Sequence, residues 1–242
     1  AEFQYREAIS LDPSLAEAHL NLGMIAVADQ LIPAALDHFR RAAKQAPDFA
    51  EAHRHLANTL AAVGRTDDAV EHFNKAMALK PRSVPIHLDY ADFLAKRGDI
   101  AAARKKYLAA AELTPDNAEI LFQVGLLDLQ LGDMQAAEAQ FRNLLQHAPD
   151  HGPAHSYLAV LISGQGRTKL EEAADLLRKA VKLNPNNAEF HNNLGVILVR
   201  LGNREEALEA LEEAVRLNPD YGEAKKNLND LRRLLTGMRG TP

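Results

Sequence analysis

The chain has neither cysteine nor tryptophan among its 242 residues. Without cysteine there can be no disulfide, no thiolate metal site and no sulfur nucleophile. No stretch approaches the roughly eighteen apolar residues that read as a membrane span, so no membrane insertion is expected. Basic residues are not in excess: 28 Lys and Arg face 33 Asp and Glu, a formal net charge of −5. A protein held to nucleic acid by phosphate contacts is usually basic, so nucleic acid is not read as a partner. Aromatics are few, eight Phe and five Tyr. What is abundant is Ala, 42 residues, and Leu, 36. Both favour helix, whereas sheets want β-branched and aromatic side chains. With 47% apolar and 25% charged residues the composition is that of a folded, soluble chain rather than a disordered one. It begins at Ala1 without Met and shows no signal peptide, and the natural chain is expected to continue upstream. The compartment stays open between cytoplasm and periplasm.

The prolines carry the organisation. Pro13, Pro47, Pro81, Pro115, Pro149, Pro185 and Pro219 fall on one ladder with a period of 34, stretched to 36 once. Other residues keep the register. Ala1, Ala35, Ala69, Ala103, Ala137, Ala173 and Ala207 stand twelve positions before each ladder proline. Tyr5, Phe39, Phe73, Tyr107, Phe141, Leu177 and Leu211 stand eight before it. Earlier in each full unit a small residue recurs as Gly23, Ala57, Ala91, Gly125, Ala159 and Gly195. Within a unit the steps Leu22–Gly23–Ala26 and Ala35–Phe39–Ala42 are helical, so each unit reads as two helices. Gly64, Gly98, Gly132, Gly166 and Gly202 separate the two, since glycine accepts the left-handed turn that ends a helix. The ladder proline ends the second helix. Ser14/Glu17, Asp48/Glu51, Asp116/Glu119, Asn186/Glu189 and Asp220/Glu223 have capping-box spacing for the next one. Pro85 and Pro153 serve the other two starts. The small residues let the paired backbones approach closely.

A period of 34 with small, large apolar, Ala and Pro positions in this order resembles the tetratricopeptide repeat (TPR) over residues 1–221. The family's aromatic near the start of the first helix is replaced by His19, His53, His87, Leu121, His155 and His191. The fold implied is all-α: a right-handed α–α superhelix of six full repeats, with a half repeat before them and a capping helix after. Residues 1–15 read as the second helix of a truncated unit. Full units follow at 16–49, 50–83, 84–117, 118–151, 152–187 and 188–221, then a capping helix at 222–235 and a loose tail at 236–242. The fifth unit has two extra residues between Gly166 and Ala173, read as a wider turn. Asp128 fills a slot held by apolar residues elsewhere and is expected to reach solvent at the edge of the groove, the alternative being burial with a partner.

The resemblance implies that first helices line a concave face. Helical spacing then selects peptide-groove candidates: Asn21; Arg54, His55 and Asn58; Asp89 and Asp92; Phe122 and Gln123; Tyr157; Asn192 and Asn193; and Asn227. Amide side chains can bond both donors and acceptors of an extended backbone, and aromatic rings can anchor side chains. The carboxylate clamp of chaperone-binding members is not formed, because Asp89 stands where the second Asn is needed and Glu119 and Gln123 replace basic residues. An Asn ladder like that of O-linked N-acetylglucosamine transferases survives only at Asn21, Asn193 and Asn227.

Catalytic and cofactor chemistry find no foothold in the pattern. Five of the ten histidines share one repeat slot and sit a whole unit apart, which suits packing rather than metal binding. His147, His151 and His155 are spaced by four, but Pro149, Gly152 and Pro153 interrupt any helix that would align them. Gly164–Gln165–Gly166–Arg167 lacks the strand, third glycine and lysine of a phosphate loop. No nucleophile–base constellation is present. The reading is therefore a non-enzymatic scaffold that takes a protein or peptide partner, with no metal and no cofactor. Two alternatives stand beside it: a self-assembling scaffold through the exposed N-terminal helix, giving homo-oligomers, or the substrate-recruiting arm of a larger enzyme such as a glycosyltransferase.

Overall fold

A computed structural model describes residues 2–239, and among these there are fourteen α-helices and no strand. They divide into two compact units, residues 1–115 and 116–242. The first unit holds α1 (Glu2–Leu11), α2 (Ala16–Ala28), α3 (Ile32–Gln45), α4 (Ala50–Ala62), α5 (Thr66–Leu79), α6 (Val84–Lys96) and α7 (Ile100–Leu113). The second holds α8 (Ala118–Gln130), α9 (Met134–His147), α10 (Gly152–Ile162), α11 (Arg167–Leu183), α12 (Ala188–Leu201), α13 (Arg204–Leu217) and α14 (Gly222–Arg239). Each unit contains three antiparallel helix pairs, α2/α3, α4/α5 and α6/α7 in one, α8/α9, α10/α11 and α12/α13 in the other. Helix α1 packs on α2, and α14 packs on α13. Residues 240–242, the end of the expected tail, lie outside the described residues, and α14 runs past the boundary read for it at 235.

The ladder residues are the core. Ala35, Ala69, Ala103, Ala137, Ala173 and Ala207 are wholly buried, and Phe39, Phe73, Phe141, Leu177 and Leu211 are almost so. The reason for glycine in the first helices is steric. A Cβ on Gly23 would stand 2.4 Å from the Phe39 ring, one on Gly125 2.6 Å from Phe141, and one on Gly195 2.5 Å from Leu211. Paired helices thus meet backbone against ring, a contact that tolerates little added volume.

Three local expectations are corrected, one of them in part. The helix starts lie one residue later than the capping boxes suggested, with Leu15, Phe49, Asn117 and Asn187 as the caps. The ladder proline takes the second position of a β-turn, closed for example by Phe49 N–H donating to Ala46 O at 3.0 Å. The turn consumes the next residue as well, so the capping side chains are Asn117, His151 and Asn187. The fifth unit's two extra residues widen its turn by one residue, to the four at 163–166 where the first four full units have three. The rest of the change is in the helices: α10 stops at Ile162 and α11 runs to 17 residues where the other full-unit second helices have 14, with Leu170 buried in its first turn. Asp128 is fully buried in α8 rather than placed at an edge.

Left-handed backbone separates the helices of a pair at Gly64, Gly98, Gly132, Gly166 and Gly202. In α2/α3 the equivalent residue is Gln30, at φ +60°, a conformation that costs a non-glycine residue energy.

Candidate partner-binding face

Within each unit, first helices touch the next first helix: α4 meets α6, α10 meets α12, and α12 meets α14. These contacts bring together side chains that the sequence separates by about one repeat.

In the first unit the meeting is polar. Arg54 Nη1 donates to Asp89 Oδ2 at 2.6 Å, and Asn58 Nδ2 donates to the same oxygen at 2.5 Å. One carboxylate oxygen of α6 therefore holds two donors from α4. Both partners of the ion pair are largely covered, with side-chain exposures of 20% and 26%, so the pair is screened less than an ordinary surface one. Arg54 Nη2 also donates to His55 Nε2 at 2.9 Å, which fixes His55 as a neutral acceptor there. The His55 ring stacks on Phe39, 5.4 Å between centroids. Burial, and then the Arg54 cation, hold His55 below the usual histidine range. Asp92 accepts a hydrogen bond from Tyr107. Beside this network a cavity of about 450 Å³ is lined by Asn58, Thr66, Asp89, Asp92, Phe93, Lys96 and Arg97 among others. The Arg97 guanidinium sits 5.4 Å over the Phe93 ring.

In the second unit the face is aromatic, then apolar. Phe122 and Tyr157 meet edge to face at 5.6 Å, and Tyr157 stacks on Phe141 at 5.7 Å. His151 closes the group, 4.9 Å from Phe122. Tyr157 remains 39% exposed, an accessible ring on a fixed base. Asn193 Nδ2 reaches Ser156 Oγ at 3.5 Å. Asn227 Nδ2 donates to Asn192 Oδ1 at 2.9 Å, and Asn192 Nδ2 donates to Tyr221 at 3.3 Å. Between α12, α13 and α14 lies a cavity of about 330 Å³ walled by Val196, Val199, Leu211, Leu231 and Leu234, with Arg200, Asn227 and Asp230 at its edge.

The twelve candidates thus separate. Arg54, His55, Asn58 and Asp89 form one connected group, with Asp92 across the same cavity. Phe122 and Tyr157 form a second group. Among the described residues Asn21 and Gln123 bond within their own helices, to Glu17 O and Glu119 Oε1. Asn192 is corrected: it is wholly buried and ties α12 to α14, so its amide is spent inside the protein. Sequence reading missed Phe93, Lys96 and Arg97, and likewise Val199, Arg200, Leu231 and Leu234. Their signal was there: each continues the groove stripe one helical turn toward the end of its helix. Among the described residues no group of three or more His, Asp or Glu side chains is placed to hold a metal ion. No described helix is long and apolar enough to cross a membrane.

Residues 1–50 and 165–222 match the model of the tetratricopeptide repeat. Residues 53–184, more than half of the chain, match that of the middle TPR-like domain of cilia and flagella-associated protein 70. The chain belongs to the tetratricopeptide repeat family. Its TPR solenoid fold is shared with solved structures of low sequence identity. PilF of Pseudomonas aeruginosa is 20% identical with a TM-score of 0.68, over 90% of this chain and 98% of that one. YrrB, described as a TPR protein with an unusual peptide-binding site, is 20% identical with a TM-score of 0.65, over 78% and 96%. PilW, described as a type IV pilus biogenesis factor, is 22% identical with a TM-score of 0.63, over 88% and 98%. No curated protein matches this TPR chain.

Proposed function

We propose that this TPR protein is a non-enzymatic scaffold that holds an extended peptide, or an extended segment of a partner protein, on the face of its first helices. The carrying observation is the contact between first helices inside each unit, α4 with α6 in one and α8 with α10 and α10 with α12 in the other, which sets hydrogen-bonding and aromatic groups from successive repeats side by side. An extended peptide advances about 3.3 Å per residue and offers donors and acceptors in alternation. Asn58, Asn193 and the free edge of the Asp89 carboxylate can answer both, while the exposed Tyr157 ring offers an apolar platform. A peptide-binding site is named for the similar YrrB. A library of fluorescently labelled extended peptides, read by anisotropy, tests the reading. At least one peptide should bind, and Asn58→Ala or Tyr157→Ala should weaken it about tenfold. Binding that ignores both substitutions places the partner elsewhere.

A second reading is self-association through α1, where Phe3 is 76% and Leu11 83% exposed. Sedimentation that stays monomeric at every concentration removes it.

A further inference from the structure

Two histidine pairs stand at one repeat position in consecutive units. His19 Nδ1 lies 3.1 Å from His38 Nδ1, and His53 Nδ1 lies 2.9 Å from His72 Nδ1. Each pair joins the first helix of a unit to the second, α2 to α3 and α4 to α5. His19 and His53 are buried, while His38 and His72 are half-buried.

Proton counting fixes the wiring. The Pro13 and Pro47 carbonyls can only accept, so Nε2 of His19, at 3.3 Å, and of His53, at 3.1 Å, must carry hydrogen and donate. A neutral imidazole has one N–H, which leaves Nδ1 of both inner rings with a lone pair. That lone pair takes its hydrogen from Nδ1 of His38 or His72, and the outer ring then presents a bare Nε2. Each pair can bind one proton on that outer Nε2 and keep its hydrogen bond. A second proton lands on the inner Nδ1 and sets two N–H groups head to head.

The other repeats lack this wiring. His87 and His155 donate to the Pro81 and Pro149 carbonyls at 2.9 and 2.8 Å, but their buried Nδ1 atoms have no hydrogen-bond partner. Lys106 occupies in the third unit the position of His38 and His72. The charged groups facing the pairs are mixed in sign. His38 meets Arg6 of α1 and Asp37 and Arg41 of α3. His53 meets Glu71 and Lys75 of α5, and His72 meets those two, Asp68 of α5 and Arg40 of α3. Burial is the largest influence on His38, His53 and His72 and holds all three below the usual histidine range.

We infer that the two pairs are acid-sensitive clasps, closed while the inner rings are neutral and opened by protonation, which make the first two full repeats a pH-responsive part of the chain. A histidine held low in the folded state binds its proton more readily when unfolded. Its stabilisation is complete above the ordinary value of about 6.5 and is lost as pH falls below it.

Nitrogen-15 NMR of the histidine side chains in the full chain at about pH 7.5 tests the wiring. His19 and His53 should show the Nε2–H tautomer, and His38 and His72 the Nδ1–H tautomer. Outer rings found in the Nε2–H form overturn the inference, and this measurement needs no variant. Thermal melts of wild type and of His38→Gln with His72→Gln, between about pH 7.5 and pH 5, test the consequence. Glutamine can still donate to the inner Nδ1 but cannot take a proton. The wild-type Tm should fall by about 5 °C or more, and the double variant should lose at least half of that fall. A double variant that keeps the whole fall overturns the clasp.

Discussion

The slot between consecutive first helices occurs twice at the same repeat positions, with opposite chemistry. Between α4 and α6 it carries Asn58, Asp89, Asp92, Phe93 and Lys96. Between α12 and α14 those positions read Val196, Asn227, Asp230, Leu231 and Leu234. The backbone frame is common to both because the small and large ladder residues set it, and none of those residues lines the polar slot. A TPR can therefore keep its helix spacing while its face changes from charged to apolar. The two slots also differ in what ties the helices together. The first is bridged by a largely covered ion pair, the second by a buried amide.

That contrast can be broken or sharpened by substitution. The largest effect is expected from Leu231→Asp, which drives a carboxylate into the apolar wall where Leu231 is 2% exposed. Stability should fall by about 3 kcal/mol or more, read as a lowered denaturant midpoint. An unchanged midpoint means that the second slot is wetter than its lining implies. Next comes Asn227→Asp, which removes the donor to Asn192 Oδ1 and leaves that buried carbonyl facing a carboxylate. A loss of about 1–3 kcal/mol is expected, by the same measurement.

The reciprocal change, Asp89→Asn, makes the first slot resemble the second. It discharges the acceptor of Arg54 and Asn58 but keeps an oxygen there, and about 1 kcal/mol should be lost. A loss as large as that of Leu231→Asp would show the polar slot to be as buried as the apolar one. The smallest effect is a titration. Arg54→Gln removes a cation that lowers His55, so NMR should place that imidazole's pKa higher than in wild type, with burial still holding it below about 6.5. Since a depressed histidine loses stability as pH falls below about 6.5, the variant should also show a shallower acid loss.

The repeat was legible because it rests on packing volumes that allow few residues. Gly23, Gly125 and Gly195 face rings or branched side chains that leave no space for a Cβ, and the wholly buried alanines behave alike. The TPR assignment followed from those positions. Helix starts were legible only to within one residue, because the turn made by the ladder proline competes with a side-chain cap one residue earlier. The extra residues of the fifth unit were only partly legible, since their count does not say how a loop and a helix share them: the turn took one, and α11 lengthened while α10 shortened. The face was legible as a set of helical positions, and its connections were not. Arg54 reaches Asp89 across 35 residues, and Asn192 turns inward while its neighbour Asn193 reaches Ser156. Such pairings depend on how far one repeat rotates against the next, which no single helix records.

The amide of Asn192 has one more consequence. Because its oxygen is answered from α14, that last helix is a seal as well as a reading surface. A chain shortened at Tyr221 would hand the Asn192 oxygen to water and uncover Leu211 and Val199 beneath it. Such a chain should clump at concentrations where the intact one stays dispersed.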